Sequence, residues 1–316
     1  MPHESFDLRI ETGTLSDGHS WSLVATVHLP DVAHNSERVP LVVCLPGGGY
    51  NRHYFSLQEP GYNEARHHMD RGVIVVALDH IRVGESDIPE LQDASLEIAA
   101  EANHAVLKVI LERLGAGTLR DGVPPLQPYG VVGEGQSMGG HIALLMQANH
   151  RSFDGLAMLG SSAVCTRLPA KTVGEEICLL GKDNPSEGLA ALRTFDKRFA
   201  FHWEDVPEAY ASADGEASTS AYWLSATTPN AGGGLVPGHL SSKAATVTVP
   251  ILIGMGERDV CQDPLREVAA YMSSRDVSYI VVPRMAHMHN FAGTRTMMWK
   301  RLSAFIAQVA DMRSDR

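Results

Sequence analysis

The 316-residue sequence is short of the features that mark several protein classes. It has only four cysteines, Cys44, Cys165, Cys178 and Cys261, with no CxxC pair and no zinc-like spacing. That excludes a disulfide-stapled or zinc-ribbon scaffold, and it reads as free thiols in a reducing cytoplasm. No run of Lys or Arg interrupts a formal net charge of −11. Neither nucleic acid nor a membrane surface is therefore expected as a partner, because both select basic patches. No apolar stretch nears the roughly 20 residues that span a bilayer. The opening residues, Met1 to Asp7, lack the basic start and apolar stretch of a secretory signal, which again points to the cytoplasm. Aromatic residues are scarce, at 6%.

What is present is ordinary for a globular chain with a sizeable core: 44% hydrophobic and 20% charged residues. The length suits one large domain with an insertion, and nothing in the composition excludes a homo-oligomer. Strand signals lie at 6–11, 21–29, 39–45, 72–78, 130–133, 155–159, 249–254 and 278–282. Helical periods cover 64–71, 94–114, 138–149, 264–272 and 297–311. The middle strands are continuous apolar runs rather than clean alternations. Such a pattern predicts an α/β fold whose mostly parallel sheet is flanked by helices on both faces. The rhythm breaks between 164 and 248, where Phe195, Phe199, Phe201, Trp203, Tyr210, Tyr222 and Trp223 gather. This reads as a helical cap inserted between core segments 1–163 and 249–316.

The chemistry centres on Val131-Val132-Gly133-Glu134-Gly135-Gln136-Ser137-Met138-Gly139-Gly140. An apolar strand runs into a Gly-x-Ser-x-Gly turn and directly into a helix. A serine on such a turn has its hydroxyl exposed beside the unpaired N–H groups of a helix start. It needs a base, a group to orient that base, and donors for an oxyanion. Asp259, after the apolar strand 251–254, is the first choice for the acid, with Glu257 and Asp263 as neighbours; Asp263 fits better as a helix cap before Pro264. His287 follows the last strand and is the preferred base, with His289 second. The loop Pro46-Gly47-Gly48-Gly49-Tyr50 ends an earlier strand. Its Gly48 and Gly49, with Tyr50 as a further candidate, join the N–H of Met138 as expected oxyanion donors. His287 and His289 lack the carboxylate or third histidine of a metal site, so neither a metal nor a cofactor is expected. His53 and His80 are placed on loops near the mouth, His141 reads as packed, and Glu134 as a buried, paired carboxylate.

The order Ser137, Asp259, His287 is that of α/β-hydrolases. With these residues assembled, the chain resembles the α/β-hydrolase superfamily over nearly its whole length. The segments that carry the resemblance are 45–50, 79–86, 135–140, 256–259 and 286–291. The second is similar to the family's Asp-x-x-Gly-x-Gly-x-Ser turn, with Arg82 where its first glycine stands. Pro46 stands where HGGG-type lipases and esterases carry histidine, and Gln136 precedes the nucleophile where many members have histidine. The resemblance implies a capped serine esterase that cleaves a carboxylic ester or lactone with an apolar portion through an acyl-serine. Thioester hydrolysis, carbon–carbon bond hydrolysis or acyl transfer would use the same three residues. A hydrolase-like binding protein without turnover is the remaining alternative.

Overall fold

Aliphatic, β-branched runs build the middle of the sheet, and burial on both faces explains why they do not alternate. The computed structural model describes residues 3–31, 38–171, 177–178, 196–215, 221–261 and 263–314. Strands β1 (Glu4–Glu11), β2 (Ser22–Leu29), β3 (Arg38–Leu45), β4 (Ile74–Leu78), β5 (Gln127–Gln136), β6 (Gly155–Leu159), β9 (Ile251–Arg258) and β10 (Val277–Ala286) form one sheet. Their spatial order is β1-β2-β4-β3-β5-β6-β9-β10. The first pairings, β1 with β2 and β2 with β4, are antiparallel; every later pairing is parallel. β4 and β6 are buried at every position. The two edge strands differ: β1 alternates along its length and β10 over Ser278–Val282, each with one side in solvent.

Helices close both faces. On one, α2 (Leu96–Ala116) and α3 (Met138–His150) bury Ile110, Leu114, Ile142 and Leu145. On the other, α1 (Glu64–Met69) and the C-terminal α8 (Arg295–Ser314) bury Ala65, Met298, Leu302 and Phe305. α2 starts where the Ser95 side chain accepts from the Ile98 N–H and stops at left-handed Gly117. α3 is buried at ten of its positions, so it lies beneath the surface as a core helix. Among the described residues no helix is long and apolar enough to cross a membrane.

The chain between β6 and β9 leaves the main sheet. Its described parts hold a small antiparallel pair, β7 (Arg167–Leu168) with β8 (Ile177–Cys178). Short helices follow: α4 (Lys197–Phe201), α5 (Glu208–Gly215) and α6 (Ser241–Ala244). Much of the interval assigned to a cap, including Phe195, lies outside the described residues. α7 (Pro264–Ala270) then links β9 to β10.

The end of β10 differs from expectation. Instead of ending at 282, the strand continues to Ala286, which pairs with Arg258 after an irregularity in register. Pro283 has no N–H to give the ladder, and Arg284 turns left-handed at φ 50° before pairing resumes.

Candidate active site

Ser137 sits where β5 meets α3, with φ 54° and ψ −119°, a conformation that non-glycine residues rarely occupy. Its N–H donates to the Leu159 carbonyl at 2.9 Å, and its carbonyl accepts from Gly140 at 2.9 Å. The turn is this tight because its glycines permit close approach. A Cβ on Gly139 would lie 2.0 Å from the Leu45 carbonyl oxygen, and one on Gly135 would lie 2.4 Å from the backbone of Gly139 and Gly140. Of the two neighbouring histidines, His287 reaches Ser137. Its Nε2 is 2.9 Å from Ser137 Oγ, and its Nδ1–H donates to Asp259 Oδ1 at 2.7 Å.

His289, the second choice for the base, does not face the serine. Its Nε2 binds the other carboxylate oxygen, Asp259 Oδ2, at 2.7 Å. The backbone N–H groups of Val260 and Gly256 complete the set, each at 2.8 Å. Asp259 therefore accepts four hydrogen bonds in a fully buried place. Burial alone pushes its carboxyl up, but His289 and His287 outweigh this and hold it well below the usual carboxylate range. The alternatives are elsewhere. Glu257 accepts from the Arg284 N–H near the surface, and Asp263 caps α7 through the Leu265 N–H.

The loop that carries His287 is fixed from three directions. The N–H groups of His287 and Met288 donate to Ala200 and Phe201 of α4, at 3.2 and 3.0 Å. Gln136, next to Ser137, donates from Nε2 to the His287 carbonyl at 3.0 Å. Asn290 is buried and bonded to Tyr54, Glu64 and Trp299. Gln136 and Asn290 carry no motif of their own. Only the position of Gln136 beside the serine and that of Asn290 beside the histidines mark them in the sequence.

A cavity of about 190 Å³ opens at Ser137, with Gly48, Met138 and His287 among its walls. Gly48 and Met138, two of the expected donors, thus lie on the same cavity wall as the hydroxyl. Gly49 and Tyr50 do not line the cavity. The Tyr50 N–H is spent on the Gly47 carbonyl at 3.2 Å, its side chain is buried against Asp214, and the Gly49 carbonyl accepts from Ser225. Tyr50 is therefore withdrawn as a donor. A separate, larger cleft of about 460 Å³, bounded by Cys165, Arg167, Cys261 and Arg266, contains neither the serine nor the histidines. Among the described residues, the Ser137 hydroxyl and the His287 imidazole meet in the smaller cavity.

His80 is not at the mouth but fully buried under the glycine loop. Its Nε2–H donates to the Pro46 carbonyl at 3.0 Å, and its Nδ1 accepts from Asn103 at 2.7 Å. Burial draws its pKa down to about 4 against both bonds, so the ring is neutral at physiological pH. Where HGGG-type loops carry their own histidine, this loop is tied down by one from the end of β4. His80→Ala should lower kcat by roughly ten- to a hundredfold with little change in KM, less than the 10²–10³ lost with an oxyanion donor itself. Steady-state hydrolysis kinetics beside a melting curve check this; an equal loss in KM would refute a positioning role.

His53 is half-buried against Tyr222, and His141 lines the cavity while donating from Nε2 to the Ser162 carbonyl at 3.1 Å. Glu134 is buried as expected, accepting from the Cys44 thiol at 3.1 Å. Together with Glu64 and His68 it forms a group whose ligand-type atoms all lie within 4.8 Å. None of the three borders the cavity.

Comparison with known proteins gives a consistent picture. Residues 42–296 match the model of the Alpha/beta hydrolase family. No curated protein sequence matches. Among solved structures, a thermophilic esterase from Thermogutta terrifontis is similar at 15% identity and a TM-score of 0.61, over 96% of this chain and 99% of its own. An esterase from Exiguobacterium antarcticum is similar at 18% identity and 0.61, over 93% and 98%. The 2-hydroxy-6-oxo-6-phenylhexa-2,4-dienoate hydrolase of a Rhodococcus strain is similar at 19% and 0.58, over 96% and 99%. At such identities the likeness is one of fold.

Proposed function

The chain belongs to the alpha/beta hydrolase family, and on that premise we propose that it hydrolyses a carboxylic ester or lactone through an acyl-serine on Ser137. One observation carries the reading: Ser137 Oγ lies 2.9 Å from an imidazole nitrogen whose ring is oriented from behind by a buried carboxylate. In this reading His287 Nε2 takes the Ser137 proton as Oγ bonds to the substrate's carbonyl carbon. The oxyanion that forms is met by the N–H groups of Met138 and Gly48. Nε2–H then protonates the departing alcohol oxygen, and the carbon–oxygen bond breaks to leave the acyl-serine. Water, losing its proton to the same nitrogen, repeats the attack and releases the acid. Asp259 keeps Nδ1 protonated and offsets the imidazolium charge.

The segment 164–248 acts in this reading as a cap. Its α4 holds the base loop, and Trp223, Leu224 and Ser225 clasp the glycine loop through Asn51 N–H to Trp223 carbonyl, Ser225 N–H to Gly49 carbonyl and a bridge at Tyr50. None of Cys44, Cys165 and Cys261 is in a disulfide, which suits a reducing cytoplasm.

A fluorophosphonate is expected to label Ser137 stoichiometrically, as read by intact mass and peptide mapping. The Ser137→Ala protein should take up none and lose turnover of a nitrophenyl ester. A folded wild-type protein that neither labels nor turns over would refute the proposal, and slow saturable ester binding without turnover would favour a binding protein instead.

A further inference from the structure

Away from the Ser137 cavity, a second group of chemistry-bearing side chains is sealed inside the fold. Glu64 and His68 stand one turn apart on the same side of α1, and Glu134 comes from β5. They are 1%, 0% and 1% exposed. Their ligand-type atoms all lie within 4.8 Å of one another, with Glu64 Oε1 3.6 Å from His68 Nε2. Among the described residues neither carboxylate forms an ion pair with a Lys or Arg. Two ionised carboxylates in so dry a place need positive charge between them.

His68 is an independent pointer to what carries that charge. Its Nε2 is buried, faces Glu64 and has no hydrogen-bond partner, since 3.6 Å is too long for one. The separation suits a shared ion instead. A tetrahedral ion sets its ligand atoms roughly 3.3–3.5 Å apart, so this pair is nearly in place and Glu134 closes by at most about 1.5 Å.

The far atoms of all three side chains are already tied. Glu64 Oε2 accepts from Asn290 Nδ2 at 2.7 Å, and Glu134 Oε2 accepts from the thiol of Cys44, its register partner on β3, at 3.1 Å. His68 Nδ1 lies 3.1 Å from Ser303 Oγ on α8. Metal ligands are commonly oriented in this way, by bonds to the atoms that do not touch the ion. Glu64 Oε1, His68 Nε2 and Glu134 Oε1 are left to share one.

We propose that Glu64, His68 and Glu134 bind a divalent transition ion, Zn²⁺ being the best match to two carboxylates and one imidazole. Two carboxylates and a dication sum to zero charge. The imidazole argues against Ca²⁺ and Mg²⁺, which take oxygen ligands. The ion's role is structural: it ties α1 to β5 and, through Asn290, to the loop that carries His287 and His289. None of its ligands borders the Ser137 cavity, so the site stands whether or not the esterase reading does.

Because the ligands are sealed from solvent, the ion has to enter as the chain folds, and the test is built on refolding. Untagged protein is unfolded with EDTA, freed of metal, and refolded with or without Zn²⁺. The Zn²⁺ sample should retain about one equivalent per chain by plasma mass spectrometry and melt about 10 °C higher. Refolded Glu134→Gln and His68→Gln proteins should retain less than about a tenth of an equivalent. Should the variants fail to fold, X-ray absorption at the zinc edge of the wild type decides. Only nitrogen and oxygen ligands near about 2.0–2.1 Å, with imidazole scattering, support the site; a sulfur at about 2.3 Å places the ion on cysteine and refutes it. Wild-type protein that retains no Zn²⁺ and melts at one temperature in both samples would overturn the proposal, a shared proton then holding the two carboxyls together.

Discussion

His287→Ala is expected to lower kcat by about 10⁶, the scale seen when the base of a serine hydrolase is removed. His289→Ala, two residues on, should cost only about tenfold. The two rings are similarly buried and share one carboxylate, so exposure and charge do not separate them. Direction does. His287 presents Nε2 to Ser137 while Nδ1 is bound to Asp259; His289 spends Nε2 on Asp259 and has no nitrogen facing the serine. Loss of His289 removes one of four donors that hold the carboxylate, a fault in positioning rather than in proton transfer. Pre-steady-state acylation by a nitrophenyl ester measures both. If the His289 variant is as inactive as the His287 variant, the assignment of the base fails.

Asp259→Asn should lower kcat by about 10⁴, because an amide stabilises the wrong imidazole tautomer. Here the substitution carries a second cost. Oδ1 accepts from Val260 and His287, and Oδ2 from Gly256 and His289. An asparagine NH₂ turned either way confronts two donors, each left unsatisfied at about 1–3 kcal/mol. The variant should therefore melt well below the wild type at neutral pH.

The gap should also depend on pH in a definite sense. The folded Asp259 carboxyl is depressed below its ordinary value, so its contribution is full above the unfolded pKa of about 3.9 and is lost as pH falls toward the folded one. Melting temperatures of the two proteins should consequently converge below about pH 4. A constant gap would mean that the carboxylate's charge contributes nothing to stability.

Much of the site could be read along the chain because its signals are local. The turn from β5 to α3 needs glycine on both sides of Ser137, since side chains at Gly135 and Gly139 would collide with backbone. Those glycines, an apolar strand before and a helix after, are contiguous in sequence. Asp259 and His287 follow strands that are nearly continuous apolar runs. Parallel strands bring such ends to one edge of the sheet, so three separate segments could be assigned to one site.

Other features depend on contacts across the chain. His80 reads as a polar residue in a loop, yet 34 positions separate it from the Pro46 carbonyl and 23 from Asn103. Only the pairing of β3 with β4, and α2 packed above them, makes it a buried support. Arg52 likewise lies in a polar stretch with no period. It is 2% exposed and donates its N–H to Asp79 Oδ1 at 2.8 Å, pinning the turn in which Arg82 adopts φ 66° where the family has glycine.

The amino-acid order by itself determined the α/β alternation, the tight turn at Ser137 and the placement of Asp259 and His287 after strand ends, because each is written in neighbouring residues and in hydrophobic period. Which histidine faces the serine, which loop amides are spent and which ring nitrogens lack partners were decided only in three dimensions. Hydrogen bonds are directional over a few tenths of an ångström, and residues two apart in sequence point to different oxygens once the backbone between them turns.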